Sequence, residues 1–141
     1  MLSSKTFNLD QQLLDAAISL LESRFSGKEG IVAAMYTEDR EILTSVFFEP
    51  KWGSAMLCAE AGAICEAEKL NKKIIASVCV SRLNGNSPIV ILTPCGICQE
   101  RLFHFGSNVE VAVPNENDPT KWQVKTLAEV QPFYWVKAFE K

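Results

Sequence analysis

The chain has 141 residues, 48% hydrophobic and 22% charged, with a formal net charge of −3. That length suits one domain with a substantial core, and the composition is globular, which excludes a disordered chain. The acidic balance argues against a general nucleic-acid binder, and no apolar run approaches the roughly 18 residues needed to cross a membrane.

Leu14, Ala17, Ile18, Leu21 and Phe25 recur at helical spacing and predict a first helix over residues 9–25, N-capped by Asn8 and stopped by Gly27 and Gly30. Residues 31–36 and 42–48 are β-branched and aromatic runs around a polar loop, the pattern of a hairpin. Pro50 and Gly53 mark the next loop. The Ala- and Glu-rich stretch 58–70 predicts a half-buried helix with Cys58, Ala61 and Cys65 along one side. Residues 74–81 and 89–93 read as strands split by an Asn84-Gly85 turn. Residues 95–105 read as a helix with Pro94 at its start and Gly106 near its end, and 109–113 as a fifth strand. Thr126-Leu127-Ala128-Glu129 has the form of a capping box opening a short helix that Pro132 limits. Strands alternating with helices predict a single α/β domain over 1–141, a three-layer α/β/α arrangement.

The chemistry is concentrated in two motifs, Cys58-Ala59-Glu60 and Pro94-Cys95-Gly96-Ile97-Cys98. Five cysteines are an odd number, and a reducing compartment, hence the cytoplasm, with thiols gathered on a metal accounts for them better than disulfides do. No basic stretch followed by an apolar core opens the chain, so a secretory leader is not expected. Three thiolates suit zinc and leave its fourth tetrahedral position open, and a nearby carboxylate that does not ligate can carry protons. Zinc deaminases carry this arrangement, Cys or His before x-Glu and then Pro-Cys-x-x-Cys. Cys95 and Cys98 at i and i+3 share one helix face. Two helix N-termini would turn free N–H groups and positive partial charge toward the thiolates.

Blander readings compete. A closed structural zinc site needs a fourth ligand, and the remaining candidates are Cys65, two helical turns beyond Cys58, Cys79 in an apolar strand, and His104 beyond Cys98. A lone CxxC at a helix start would also suit redox chemistry. The third cysteine with its glutamate favours the catalytic reading.

At these residues the chain resembles the cytidine deaminase family, and among its members the blasticidin S deaminase-like proteins, over most of its length from residue 31 to residue 135. The resemblance implies a five-stranded mixed sheet with flanking helices, assembled as a homotetramer, with a dimer as the smaller option. It implies one Zn²⁺ per subunit on Cys58, Cys95 and Cys98, with Glu60 as the proton shuttle. The substrate would be a small aminopyrimidine nucleoside, with no nucleic acid or membrane as partner. The backbone carbonyl of Thr93 would hold the substrate amine, and the backbone N–H groups of Cys58 and Ala59 the pyrimidine carbonyl. Where the family grips ribose with Asn-x-Glu, this chain has Phe47-Phe48-Glu49, which keeps Glu49 and loses the Asn. Glu29 stands in place of a stacking Phe. Ala61 replaces an Arg that offsets thiolate charge, and Gln99-Glu100 replace an Arg-Gln pair, which leaves the helix termini to balance the site. Trp135 falls where a Phe reaches a substrate pocket, often a neighbouring subunit's, although packing is the plainer role for Phe133, Tyr134 and Trp135. Trp52 is either a pocket wall or a loop anchor. The function implied is zinc-dependent hydrolytic deamination of cytidine, deoxycytidine or a blasticidin S-like compound; the alternative is a non-catalytic binding protein with a structural zinc.

Overall fold

The computed structural model describes residues 6–140. Its first helix, α1 (Gln11–Arg24), buries Leu13, Leu14, Ala17 and Leu21, the stripe expected of a helix lying on a sheet. It begins later than its apolar spacing predicts because Asp10, not Asn8, is the N-cap. The Asp10 carboxylate accepts from Leu13 N at 3.1 Å and from the Tyr36 hydroxyl at 2.8 Å. Asn8 instead donates its backbone and side-chain N–H groups to the Glu110 carboxylate, at 2.8 and 3.2 Å.

The predicted hairpin is present as β1 (Gly30–Thr37) and β2 (Ile42–Val46), antiparallel with Val32 opposite Val46. The chain continues through α2 (Ala61–Leu70), β3 (Ile74–Arg82), a two-residue β4 (Val90–Ile91), α3 (Gly96–Leu102) and β5 (Glu110–Pro114). β6 (Trp122–Thr126) and the one-turn α4 (Leu127–Val130) follow. The sheet is mixed, in the order β2-β1-β3-β5-β6, with β4 paired to β3 off that path. Antiparallel β1 runs along one edge of β3 for its whole length. The other edge is therefore shared, by parallel β5 at Ala76 and Ser77 and by antiparallel β4 at Val80 and Ser81.

Alternation along the strands builds the layers. Val32, Ala34, Tyr36, Ala76, Val78 and Val80 pack with α1 on one face. Ala33, Met35, Cys79 and Val111 pack on the other with Ala59, Ala63, Ala67 and Leu102, which come from α2, α3 and the turn before α2. A bulge between Tyr36 and Thr37 sets Thr37 opposite Ile74 and carries Ile74 to the second face, although Ala76 lies on the first.

Two helix boundaries and one strand also differ from the sequence reading. α2 starts at Ala61, so Cys58 precedes the helix. α3 ends at Leu102 and tightens into a 3₁₀ turn, Phe103–Phe105, before Gly106 leaves it at φ 115°. β6 pairs with β5 from Glu110–Thr126 to Pro114–Trp122; all five of its residues are half-buried, so no in–out alternation reveals it. The capping box is present: Thr126 Oγ1 accepts from Glu129 N at 3.2 Å, and Glu129 Oε1 accepts from Thr126 N at 3.0 Å. Among the described residues no helix is long and apolar enough to cross a membrane.

Candidate metal centre and active site

Cys58 sits just after a β-bridge between Phe48 and Leu57, and its carbonyl accepts from Ala61 N at 3.0 Å to close a turn into α2. Glu60 is the N-cap residue of that helix. Cys95 caps α3 in extended conformation, and Cys98 lies buried in its first turn. The three Sγ atoms lie within 4.8 Å of one another, and Cys58 and Cys95 are 3.4 Å apart. Sulfurs around a tetrahedral zinc with bonds of about 2.3 Å stand about 3.8 Å apart, so this donor set fits that ion.

Two of the three thiols resist ionisation. Burial pushes the Cys98 thiol far above its ordinary range, and the neighbouring Glu60 carboxylate adds to the effect. Cys58 is raised by burial and by its contact with Cys95. At Cys95, burial acts upward but is outweighed by hydrogen bonds from the Cys98 backbone, the Cys58 and Cys98 side chains and the Ile97 backbone, and the thiol falls below its usual value. The expected N–H groups of the α3 N-terminus are thus turned to sulfur. A coordinated divalent ion reverses the penalty at the other two thiols, since it deprotonates its thiol ligands.

Glu60 is 4% exposed and lies outside the thiol set. Its carboxylate faces both Cys98 and Cys79 and raises both thiols, although burial is the larger cause in each. Cys79 is buried on β3 and forms part of the floor. Cys65 is exposed on α2, and His104 pairs with Glu68 at 3.2 Å. Among the described residues no fourth cysteine, histidine or carboxylate joins the cluster, so the arrangement can hold a metal and keep one position open.

Residues that carried no sequence signal hold this turn in place. Ser45 on β2 donates its hydroxyl to the Ala59 carbonyl and accepts from Ala63 N at 3.0 Å. Gly62 allows the approach, because a Cβ there would stand 2.8 Å from Ser45 Cβ. On the other side, Gln99 Nε2 donates to the Pro94 carbonyl at 2.8 Å and Gln131 Nε2 donates to Gln99 Oε1 at 2.8 Å, which fixes the turn entering α3.

The residues expected to meet a substrate are not all in one place. Glu49 lines a cleft of about 610 Å³ together with Glu29, Ile31, Val46, Phe47 and Ser81. The cysteines are not part of its wall; Ser81, which is, lies two residues along the same face of β3 from Cys79, whose thiol faces Glu60. Ala59 is buried beside Glu60, and Thr93 is exposed next to Pro94. Trp135 lies elsewhere: its indole N–H donates to Glu100 at 3.0 Å. Glu100 is two residues past Cys98, about 200° around the helix, so Trp135 is anchored on the face of α3 turned from the thiols. Tyr134 stacks on Phe103 at 3.7 Å. Trp52 is 76% exposed and does not line the cleft.

Residues 7–113 match the family described as "Cytidine and deoxycytidylate deaminase zinc-binding region". The chain is 27% identical over 131 residues to the blasticidin-S deaminase of Bacillus cereus, across 87% of this chain and 94% of that protein. The crystal structure of the cytidine deaminase from Bacillus anthracis is 42% identical, covers 92% of this chain and 91% of its own, and superposes with a TM-score of 0.85. The cytidine deaminase from Mycobacterium leprae, 23% identical, covers 86% of this chain and 96% of its own and shares the fold at a TM-score of 0.66. With three thiols converged, a buried glutamate against them and a match over most of its length, this chain belongs to the cytidine and deoxycytidylate deaminase family.

Proposed function

We propose that the protein is a zinc-dependent hydrolytic deaminase that converts the cytosine ring of a nucleoside or nucleoside analogue to uracil and releases ammonia. The observation that carries this reading is the Glu60 carboxylate, buried against three converging thiols without joining them. Cys58, Cys95 and Cys98 would hold one zinc ion per subunit, which when bound supplies a Lewis acid that activates water. Glu60 takes one proton from the attacking water and passes it to the ring nitrogen, then takes the hydroxyl proton of the C4 adduct and passes it to the amine, which leaves as ammonia as the C4–N bond breaks and the carbonyl forms. The Thr93 carbonyl accepts from the substrate amine, and the Ala59 N–H donates to the pyrimidine carbonyl. Ser45 keeps the Ala59–Glu60 turn at a constant distance from the sheet.

The remainder of the substrate occupies the cleft, with Glu49 as its polar contact and Phe47 as an apolar wall. A wall of this kind gives up one hydrogen bond to a ribose hydroxyl, so analogues with a different substituent compete well with cytidine. The protein works in the cytoplasm as a homotetramer. Exposed Trp52, Phe133, Trp135 and Phe139 supply apolar surface for subunit contacts. Zinc-loaded protein assayed against cytidine, deoxycytidine, cytosine and blasticidin S tests this reading. Ammonia release from at least one of the four, with NH₂ replaced by OH in the product's mass, is the expected result; no turnover of any by zinc-replete protein would contradict it.

A further inference from the structure

Three thiolates outweigh the charge of a divalent cation, and the excess weakens it as a Lewis acid. No cation follows Glu60 in the chain, where Ala61 is buried against the core. A cation nevertheless reaches the cluster from α3: Arg101 Nη1 lies 3.9 Å from Cys98 Sγ. Cys98 and Arg101 are three residues apart, the spacing that places side chains on one helix face. Cys98 is fully buried and Arg101 is half-buried, so the pair is shielded from the solvent that screens exposed charges. Among the described residues Arg101 forms no ion pair with a carboxylate. Its guanidinium is always protonated, and its fork of donors keeps charge beside the sulfur in any protonation state of the site.

We propose that Arg101 offsets the thiolate charge of the metal centre, acting through Cys98 and without touching the substrate. The guanidinium draws electron density from the Cys98 sulfur and lowers its strength as a donor. The helix N-terminus does the same for Cys95 through the Ile97 and Cys98 N–H groups, so the two sulfurs supplied by α3 are tempered from different directions. Arg101 is on this view a positioning and tuning residue, and it rests on the deaminase reading only for its effect on turnover.

Cobalt(II) in place of zinc gives a sulfur-to-metal charge-transfer band that reports donor strength directly. Arg101→Met removes the charge at similar length, Arg101→Lys retains it, and Arg101→Gln stands in if the Met variant does not fold by far-UV circular dichroism. The band is expected to move to lower energy in Arg101→Met and to stay near the parent's position in Arg101→Lys. With zinc, kcat for cytidine should fall about 10–100-fold in Arg101→Met, with KM within about twofold and partial recovery in Arg101→Lys. An unmoved band in the neutral variants overturns the proposal. A shifted band in a protein whose parent releases no ammonia from cytidine or blasticidin S upholds the charge role and removes the deaminase reading. An active parent with an unmoved band removes the role of Arg101 alone.

Discussion

On the proposed reading, the burial of Glu60 and its role as proton shuttle are linked. A carboxylate 4% exposed beside the thiols gives up hydration, a cost that its removal would relieve. Glu60→Ala is therefore expected to keep zinc stoichiometry and an unfolding midpoint at or above the parent's, while kcat falls about 10²–10⁴-fold. Steady-state kinetics beside a urea titration separates the two effects, and a matching loss of midpoint would make Glu60 structural. Ser45→Ala leaves Ala63 N and the Ala59 carbonyl without their partner and should cost about 1–3 kcal/mol, read as a lower urea midpoint with unchanged slope. The cysteines and Glu60 are legible in the sequence because metal chemistry demands those residue types at short, fixed offsets. Ser45 and Arg101 are not, because Ser45 matters through partners 14 and 18 positions away and Arg101 through a sulfur that many arginines would never meet.

Among the elements, helix and strand types followed apolar periodicity except at β6, which shows none, and the two helix starts were displaced where a polar contact overrode it. Asp10 outcompetes Asn8 as cap because Asn8 is drawn to Glu110, a residue about a hundred positions distant. The turn Cys58–Glu60 reads as helix by composition but closes as a turn because Ser45 holds the Ala59 carbonyl. This contact makes α2 sensitive at Gly62. Gly→Ala inside a helix normally gains about 1 kcal/mol, yet a Cβ there meets Ser45 Cβ at 2.8 Å, so Gly62→Ala is expected to destabilise. The double variant Ser45→Gly/Gly62→Ala should recover part of that loss. Urea midpoints for the four proteins of the cycle give the coupling, and additive effects would refute the contact. At the C-terminal end, Thr126→Ala should cost about 1 kcal/mol through the lost capping box, without changing metal binding.

In the whole molecule, one layer is largely structural and the other carries the chemistry. α1 covers its face of the sheet with aliphatic side chains, while α2 and α3 cover the other and bring the turn before α2 and the start of α3 together at the cysteines. A metal held by the three thiols would tie these two segments, so Cys95→Ala is expected to lose zinc and to unfold at a lower temperature, and a chelator should lower the midpoint of the parent but not of the variant. Full zinc occupancy in Cys95→Ala would refute the ligand set. The layered architecture was readable because strand and helix periods differ; the place of β6, the shared edge of β3 and the position of Trp135 on the far side of α3 were not, since each depends on where distant segments dock. The most direct test of the central claim is ammonia release by zinc-loaded protein, with cytidine and blasticidin S as substrates and Glu60→Ala in parallel. Release by the parent and its loss in the zinc-replete variant is the expected result; equal release by both, or none by a parent that holds its zinc, would contradict it.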